Sequence, residues 1–316
     1  MSFIIKYGID NLLLDVTKLA YSTLVTQDIL YISSNDVIRA RIFTDPLPNV
    51  VKSVFIKDMN TGLEGVFDHT KDVFIDLSNR KIFLWPDVPP YIQDIFPQLR
   101  DITRYYQLRK ELKLDFGTFD DELPEQMMVV RYLKGDEKVL EIGGNIGRNS
   151  MIIASILNKC GNSQFVCLEC DQTSAGLLSH NKALNNLEFF IESSALSNRK
   201  LIMQGWNTIV SDKVLPGFRS VQTITLVQLT AKYNIAFDTL VLDCEGAFYY
   251  ILMDMPEILL PVQTIIMEND YTDITHKQYI NEVLQKNNFE VVYSQAGGWG
   301  VCEAFFFEVW KRSSTK

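Results

Sequence analysis

The residues best suited to chemistry in this sequence form an apolar stretch that ends in a glycine-rich turn. The stretch reads Val139-Leu140-Glu141-Ile142-Gly143-Gly144-Asn145-Ile146-Gly147. Glycines let a backbone approach a ligand closely, and the N–H groups at the helix start after such a turn can face an anion. Asn145 stands where a dinucleotide fingerprint has its second glycine, which disfavours a pyrophosphate cofactor. The pattern favours a ligand whose own anion is one carboxylate, and a plain strand-to-helix turn is the alternative.

A second acidic residue follows the next apolar stretch. Glu169 closes a predicted strand at 164–168, a position where α/β folds place a carboxylate that binds ribose hydroxyls. Asp171 is the competing candidate if the strand is longer. Cys167 and Cys170 flank Glu169, but a closed zinc site needs four ligands. We therefore expect these cysteines to be structural.

The chain around these residues alternates strands and helices. Short apolar strands are predicted at 139–142, 164–168, 239–242 and 264–267, with helices at 149–157 and 173–185. Such a pattern indicates a parallel sheet covered on both faces. Strands predicted at 290–293 and 303–310 are joined through 297–300 without room for a helix, so they must be antiparallel. We expect a Rossmann-like α/β fold with a seven-stranded, mostly parallel sheet whose last strand is antiparallel.

A proline-rich segment at 85–97 separates this region from a β-rich block. We predict a small N-terminal β domain at 1–97 and an α/β domain at 98–316. Five strands are predicted in the first, as a sandwich or open barrel: 29–32, 37–43, 51–57, 73–77 and 81–85. Helices are predicted at 101–114 and 123–133.

The segment Leu240-Val241-Leu242-Asp243-Cys244-Glu245-Gly246-Ala247, together with the upstream Glu-x-Gly-x-Asn-x-Gly turn, resembles the FkbM-type methyltransferase family. The similarity runs from about Gln126 to Trp310 and includes 194–197, 223–233 and 265–268. It implies a class I methyltransferase fold and S-adenosylmethionine as cofactor. Many members methylate hydroxyl groups of sugars or glycosylated natural products.

The resemblance also implies roles for individual residues. Those that would hold the methionine part of the cofactor are Glu141, Gly143, Asn145 and Gly147. Glu169 would hold the ribose, and Ser194 and Ala195 would lie near the adenine. Asp243 would stand beside the reactive methyl group.

Methyl transfer to a hydroxyl needs alignment and a proton acceptor. Asp243 and Glu245 are the candidate catalytic bases, although Glu245 could instead cap the next helix or hold the loop. The family often has a lysine and an acid where this chain has Val241 and Phe248. These departures leave open a catalytically silent scaffold that binds a partner through its β domain.

The segment Glu268-Asn269-Asp270 closes the predicted fifth strand. With Asp243 it would place oxygen ligands on neighbouring strand ends, which suits Mg²⁺. Trp206 and Trp299 could stack on a sugar ring, but such aromatics are as often simple packing. A lone His276 is more often structural.

The N-terminal block faintly resembles a β-rich module of sugar-processing proteins from large DNA viruses and some bacteria. The resemblance rests on Asp15-Val16-Thr17, 35–40 and 43–47. It is consistent with glycan binding, acceptor positioning or homo-oligomer formation.

Composition narrows the function classes. A net charge of −9 argues against a broad nucleic-acid grip, and no apolar stretch is long enough for membrane insertion. Five scattered cysteines and no signal-like start favour a cytoplasmic location. We predict an S-adenosylmethionine-dependent O-methyltransferase with a sugar or glycoconjugate acceptor. The alternatives are the silent scaffold and a nucleic-acid methyltransferase.

Overall fold

The computed structural model describes residues 1–313 of the 316-residue chain. Residues 314–316, the end of the predicted C-terminal domain, lie outside the described part. The chain divides into two compact units, residues 1–103 and the part that begins at Arg104. Within the described residues, no helix is both long and apolar enough to span a bilayer.

The first unit consists mainly of short antiparallel strands. Its strands are β1 (Phe3–Ile9), β2 (Leu12–Asp15), β3 (Val25–Thr26), β4 (Ile29–Ile32), β5 (Ser53–Asp58), β6 (Glu64–Phe67), β7 (Val73–Asp76) and β8 (Lys81–Leu84). Its helices are α1 (Thr17–Thr23), α2 (Asp36–Phe43) and α3 (Pro90–Ile95), and α4 (Pro97–Glu111) runs into the second unit. Two four-stranded sheets result, with the orders β2-β1-β5-β6 and β3-β4-β7-β8.

The two sheets of this unit share one apolar core. Side chains that alternate along β1, such as Ile5 and Tyr7, are fully buried. They belong to the same buried cluster as Leu30 of β4 and Ile75 of β7. This is the arrangement of a sandwich, in which inward-facing residues of both sheets form the core. The predicted small β-rich unit is confirmed.

The strand predicted at 37–43 is wrong, because this segment is helix α2. The side chain of Asn35 accepts hydrogen bonds from the backbone N–H groups of Val37 and Ile38, which is the geometry of an N-cap. The β-branched residues after the cap suggested a strand, but the cap and the burial of Phe43 stabilise a helix. Strands β1, β2, β3 and β6 were not predicted.

The second unit contains the longer helices and the large sheet. Its helices are α5 (Leu123–Tyr132), α6 (Arg148–Lys159), α7 (Gln172–Leu184), α8 (Leu226–Tyr233), α9 (Ala247–Asp254) and α10 (Ile274–Lys286). Its strands are β9 (Val139–Ile142), β10 (Phe165–Leu168), β11 (Phe190–Glu192), β12 (Ala195–Leu196), β13 (Leu201–Gln204), β14 (Asn207–Val210), β15 (Arg219–Val221), β16 (Thr223–Ile224), β17 (Thr239–Leu242), β18 (Thr264–Glu268), β19 (Phe289–Gln295) and β20 (Phe307–Arg312).

Seven of these strands form one sheet in the order β11-β10-β9-β17-β18-β20-β19. Strand β20 runs antiparallel to both of its neighbours, and the other strand pairs of the sheet are parallel. Strands β9, β10 and β17 are buried along their whole length, as expected for strands covered on both faces. The predicted fold class, a Rossmann-like sheet with an antiparallel last strand, is confirmed.

The register of the sheet determines which side chains meet. Ile142 pairs with Leu168 on one side and with Leu242 on the other. The residues that follow these three therefore emerge at one edge of the sheet. In open α/β sheets this carboxyl edge is where ligands bind.

Two features near this sheet differ from the sequence prediction. The strand predicted at 303–310 begins only at Phe307, because Gly300–Phe305 forms a 3₁₀ helix. A separate antiparallel sheet of order β14-β13-β15 is inserted between β12 and β16 and was not predicted.

A buried ion pair ties α10 to the large sheet. Lys277 Nζ lies 2.5 Å from Glu308 Oε2, and both side chains are almost completely buried. Trp310 Nε1 donates to the same carboxylate oxygen at 2.9 Å. Burial lowers the pKa of Lys277, while the charge of Glu308 opposes that shift.

We expect Lys277→Ala to lower the free energy of unfolding by about 3–5 kcal/mol, because it leaves the Glu308 charge buried without a partner. The double variant Lys277→Met with Glu308→Gln should lose less, since it removes both charges and keeps an acceptor for Trp310. Lys286→Ala, at an exposed position of the same helix, should change stability by about 0.5 kcal/mol at most. Urea unfolding measures all three, and a Lys277→Ala protein as stable as Lys286→Ala would contradict the prediction.

Candidate functional site

A cavity of about 850 Å³ opens at the carboxyl ends of β9, β10 and β17. The predicted site residues in its wall are Gly143, Asn145, Glu169, Ser194, Ala195, Asp243 and Glu245. The predicted residues outside the wall are Glu141, Gly147, Glu268, Asn269 and Asp270. The fold therefore brings together residues that are far apart in the sequence.

The glycine turn allows the ends of β9 and β17 to lie unusually close. Gly143 has φ +95°, and a Cβ there would lie 1.6 Å from the carbonyl oxygen of Asp243. Only glycine fits this position without displacing the strand end. Asn145 also has a left-handed backbone, with φ +47°, which asparagine tolerates better than most residues.

The N–H groups of the turn are satisfied within the protein. Those of Gly143 and Gly144 both donate to the carbonyl oxygen of Leu168 at 3.0 Å. The N–H of Asn145 donates to Glu169 Oε2 at 2.7 Å. The anion next to the N–H of Asn145 is therefore the Glu169 carboxylate.

Glu169 joins the glycine turn to the end of β10. Its second oxygen, Oε1, accepts from the backbone N–H of Asp171 at 2.7 Å. Each carboxylate oxygen can accept two hydrogen bonds, so both can still accept from a ligand hydroxyl. Burial raises the pKa of Glu169, and the hydrogen bond from Asn145 opposes this shift.

Asp171, the competitor of Glu169, has a structural role. Its Oδ1 accepts from the N–H groups of Thr173 and Ser174 and caps α7. Its other oxygen forms an ion pair with Arg219. Although Asp171 lies in the cavity wall, Glu169 has more accepting capacity left for a ribose.

Glu141 and Gly147 contribute to the packing of the glycine turn against α6 and α7. Glu141 is buried and accepts a hydrogen bond from the hydroxyl of Ser150 in α6. Burial raises the pKa of Glu141 to about 7. At Gly147, a Cβ would lie 2.3 Å from Leu178 Cδ1, so this glycine lets α6 begin against α7.

The raised pKa of Glu141 makes stability depend on pH. Ionising this carboxyl costs free energy only in the folded protein, so stability falls as pH rises from its usual pKa of 4.5 through about 7. Glu141→Gln removes this loss. Relative to wild type, the variant should gain on the order of 3 kcal/mol of unfolding free energy between about pH 4 and about pH 8.

Urea unfolding at the two pH values measures this difference. Glu188→Gln is the matched control, because Glu188 is exposed and the substitution removes the same charge. If both variants show the same pH dependence as wild type, the burial argument for Glu141 is wrong.

Two carboxyl groups follow β17 in the cavity wall. Burial raises the pKa of Asp243 well above its usual value, and the nearby carboxyls of Glu122 and Asp270 raise it further. A carboxylate with a raised pKa is a better proton acceptor at neutral pH. Glu245 is exposed. Its alternative role as helix cap is wrong, since the Gly246 N–H at the start of α9 donates to Asp270 Oδ1 at 2.9 Å.

The predicted metal set is not assembled. The Asn269 side-chain amide donates to the carbonyl oxygen of Phe305, while Asp270 holds the α9 loop. Burial, Asp243 and the neighbouring Glu125 raise the pKa of Glu268 to about 10. Among residues 1–313, no three His, Cys, Asp or Glu side chains are grouped so that they could hold a metal ion. The prediction of Mg²⁺ ligands at Asp243, Glu268, Asn269 and Asp270 therefore has no support in the described residues.

Asn181 was missed by the sequence analysis. It is fully buried, and its amide donates to the carbonyl oxygen of Ile146 at 2.9 Å. Its Oδ1 accepts from the N–H of Asp115 at 3.1 Å. Asn181 thus links the glycine turn to the segment before α5. No sequence pattern marks it, because its partners are distant along the chain.

The inserted sheet β14-β13-β15 supplies one wall of the cavity and was also missed. Its lining residues are Leu201, Met203, Gly205, Trp206, Thr208, Ile209 and Val210. In the sequence, Trp206 was the one residue that indicated a binding surface in this segment. Trp299, the other candidate for ring stacking, is not in the wall. His276 stacks on the ring of Tyr249 at 3.8 Å, which is a packing role.

The two departures from the family pattern are core positions. Val241 is buried in β17 beside Glu141 of β9. Phe248 is completely buried in α9. Neither residue belongs to the cavity wall.

Comparison with known proteins gives a likeness of fold. No protein-family model matches the chain, and no curated protein does so either. A ribosomal protein L11 methylase from Lactobacillus delbrueckii subsp. bulgaricus has 14% identity and TM-score 0.39, covering 64% of this chain and 82% of its own. The O-methyltransferase from Bacillus cereus, solved with SAH, has 14% identity and TM-score 0.37, and the match covers 72% of this chain and 96% of that one.

A tRNA m1G37 methyltransferase from M. jannaschii is similar at 14% identity and TM-score 0.36, over 64% of this chain and 52% of that one. The three proteins differ in what their names say they act on. At these TM-scores the likeness carries no information about activity or substrate. A functional assignment has to come from the residues of the site.

Proposed function

We propose that this chain is an S-adenosylmethionine-dependent O-methyltransferase that methylates a hydroxyl group of a sugar or glycoconjugate. The proposal depends mainly on one observation, the meeting of Gly143, Glu169 and Asp243 in the wall of one cavity. The glycine lets the end of β17 that carries Asp243 lie against the end of β9, the glutamate can accept ribose hydroxyls, and the aspartate can accept a proton.

The charge of the cavity supports a cationic cofactor. Among the described residues, the acidic side chains in the wall are Glu169, Asp171, Asp243, Glu245 and Asp254, and the basic one is Arg199. Arg199 is paired with Asp254. A wall of this sign attracts a sulfonium and an ammonium group and repels the pyrophosphate of a dinucleotide.

Different residues of the chain have different roles in the proposed methyl transfer. When bound, S-adenosylmethionine supplies an electrophilic methyl group. Glu169 would orient the ribose, and the Gly143 turn places the end of β17, with Asp243, directly beside the end of β9. Asp243 would accept the proton that the acceptor hydroxyl loses when its oxygen receives the methyl group from the sulfonium. Alignment of this kind accounts for much of the rate in bimolecular transfers.

The acidic cavity wall also favours one class of acceptor molecule over another. Neutral hydroxyl-bearing molecules can donate hydrogen bonds to Asp243 and Glu245. A phosphate backbone would meet acidic side chains and a single, already paired arginine. We therefore favour a sugar acceptor over nucleic acid, in keeping with the family resemblance.

Calorimetric titration tests the cofactor. Wild type should bind S-adenosylmethionine and S-adenosylhomocysteine with micromolar affinity and should not bind NAD. Glu169→Gln should weaken both affinities about tenfold or more, because it removes a charged acceptor of hydrogen bonds. Glu188→Gln, exposed and remote from the cavity wall, should bind as wild type does. Failure of wild type to bind either molecule would contradict the proposal and favour the silent scaffold.

Asp243→Asn tests the proton acceptor. We expect turnover to fall about a hundredfold or more, while cofactor affinity changes by about threefold at most. Transfer of labelled methyl groups to a panel of methyl glycosides measures turnover. Wild-type turnover should rise with pH as the Asp243 carboxyl, whose pKa is raised, loses its proton. Undiminished turnover in Asp243→Asn would remove the residue from the mechanism.

A further inference from the structure

We infer that the inserted sheet β14-β13-β15 is the base-binding wall of the cofactor site and that Trp206 stacks on the adenine ring. This inference rests on the proposed function, because it assigns the part of the cavity that the carboxylates do not explain. Adenine thereby replaces the sugar ring as the stacking partner expected for Trp206.

The side chain of Trp206 is largely exposed to solvent although it lines the cavity. Its exposed fraction is 66%, yet it lies in the wall of the cavity. An indole has a large apolar face that is stabilised when a ring covers it. A planar ligand inside the cavity would cover this face.

The backbone holds Trp206 at a defined point of the wall. Gln204 pairs directly with Asn207, which leaves Gly205 and Trp206 as a two-residue turn. Gly205 has φ +57°, and a glycine with positive φ at the first turn position is typical of a type II′ turn. Such a turn matches the twist of its strands, so the indole extends from a well-defined hairpin.

One end of the inserted sheet lies beside the ribose carboxylate. Arg219 is the partner of Met203 in the β13–β15 register, close to the hairpin turn. It forms an ion pair with Asp171, and its charge opposes the rise that burial causes in the pKa of Glu169. The hairpin turn is therefore near the position proposed for the ribose, to which the adenine is joined directly.

The other end of the sheet is held by a second ion pair. Arg199 precedes β13 and contacts Asp254 at the end of α9 through two hydrogen bonds of 2.5 and 2.6 Å. The side chains of the wall between the two ion pairs are largely apolar and include Leu201, Met203 and Ile209. An apolar slot suits a planar base better than a sugar, whose hydroxyls would lack partners there.

Calorimetry with S-adenosylhomocysteine and with 5′-methylthioadenosine tests this assignment. Trp206→Ala should weaken both affinities about tenfold or more, as expected for loss of a base–aromatic stack. Trp206→Phe keeps a stacking face and should stay within about threefold of wild type. Trp299→Ala is the matched control, because Trp299 is also exposed but lies outside the cavity wall, and it should bind as wild type does.

Tryptophan fluorescence gives a second readout. Stacking on adenine should quench Trp206, so the quenching caused by S-adenosylhomocysteine should persist in Trp299→Phe and disappear in Trp206→Phe. Quenching that persists in Trp206→Phe would overturn the inference. So would wild-type affinity in Trp206→Ala, or weakening for S-adenosylhomocysteine but not for 5′-methylthioadenosine, which keeps the base, the ribose and a methylthio group but lacks the amino acid part.

The two proposals fail in different ways. If wild type binds neither nucleoside, both the proposed function and this inference are wrong. If wild type binds both and Trp206→Ala binds them equally well, only the role of Trp206 is wrong.

Discussion

The candidate site depends on the carboxylate of Glu169 and the backbone N–H groups that it accepts. One oxygen binds the N–H of Asn145 and the other that of Asp171. The first bond holds the glycine turn after β9, and the second holds the chain after β10. A charged acceptor inside a buried site makes both bonds stronger than in water. Without it, the turn would lose one of the partners that hold it beside the neighbouring strand.

Around this contact, the protein concentrates carboxyl groups at one edge of the sheet. Burial and mutual repulsion raise the pKa values of Asp243 and Glu268. Such an edge is costly when every group is ionised, and a positively charged ligand reduces that cost. The same electrostatics would disfavour a dinucleotide or a phosphate backbone and would favour the sulfonium of the proposed cofactor beside Asp243.

The inserted sheet completes the cavity on a side that the large sheet leaves open. Two ion pairs, Arg199 with Asp254 and Arg219 with Asp171, attach it at its ends. Exposed ion pairs contribute little stability, so the attachment defines position more than it adds free energy. A wall held in this way can present Trp206 to a ligand in the cavity.

The sequence by itself determined the large sheet and the place of the site. Continuous apolar runs such as 139–142 and 239–242 predicted the strands correctly, because strands buried on both faces tolerate little else. The strand predicted at 37–43 was wrong, because the N-cap side chain of Asn35 stabilises a helix there despite the β-branched residues. Only the tertiary structure showed that Asn145 donates to Glu169, and that Asp270 holds the α9 loop instead of a metal. Those contacts join segments that are distant in sequence, and hydrogen-bond partners of that kind leave no local pattern.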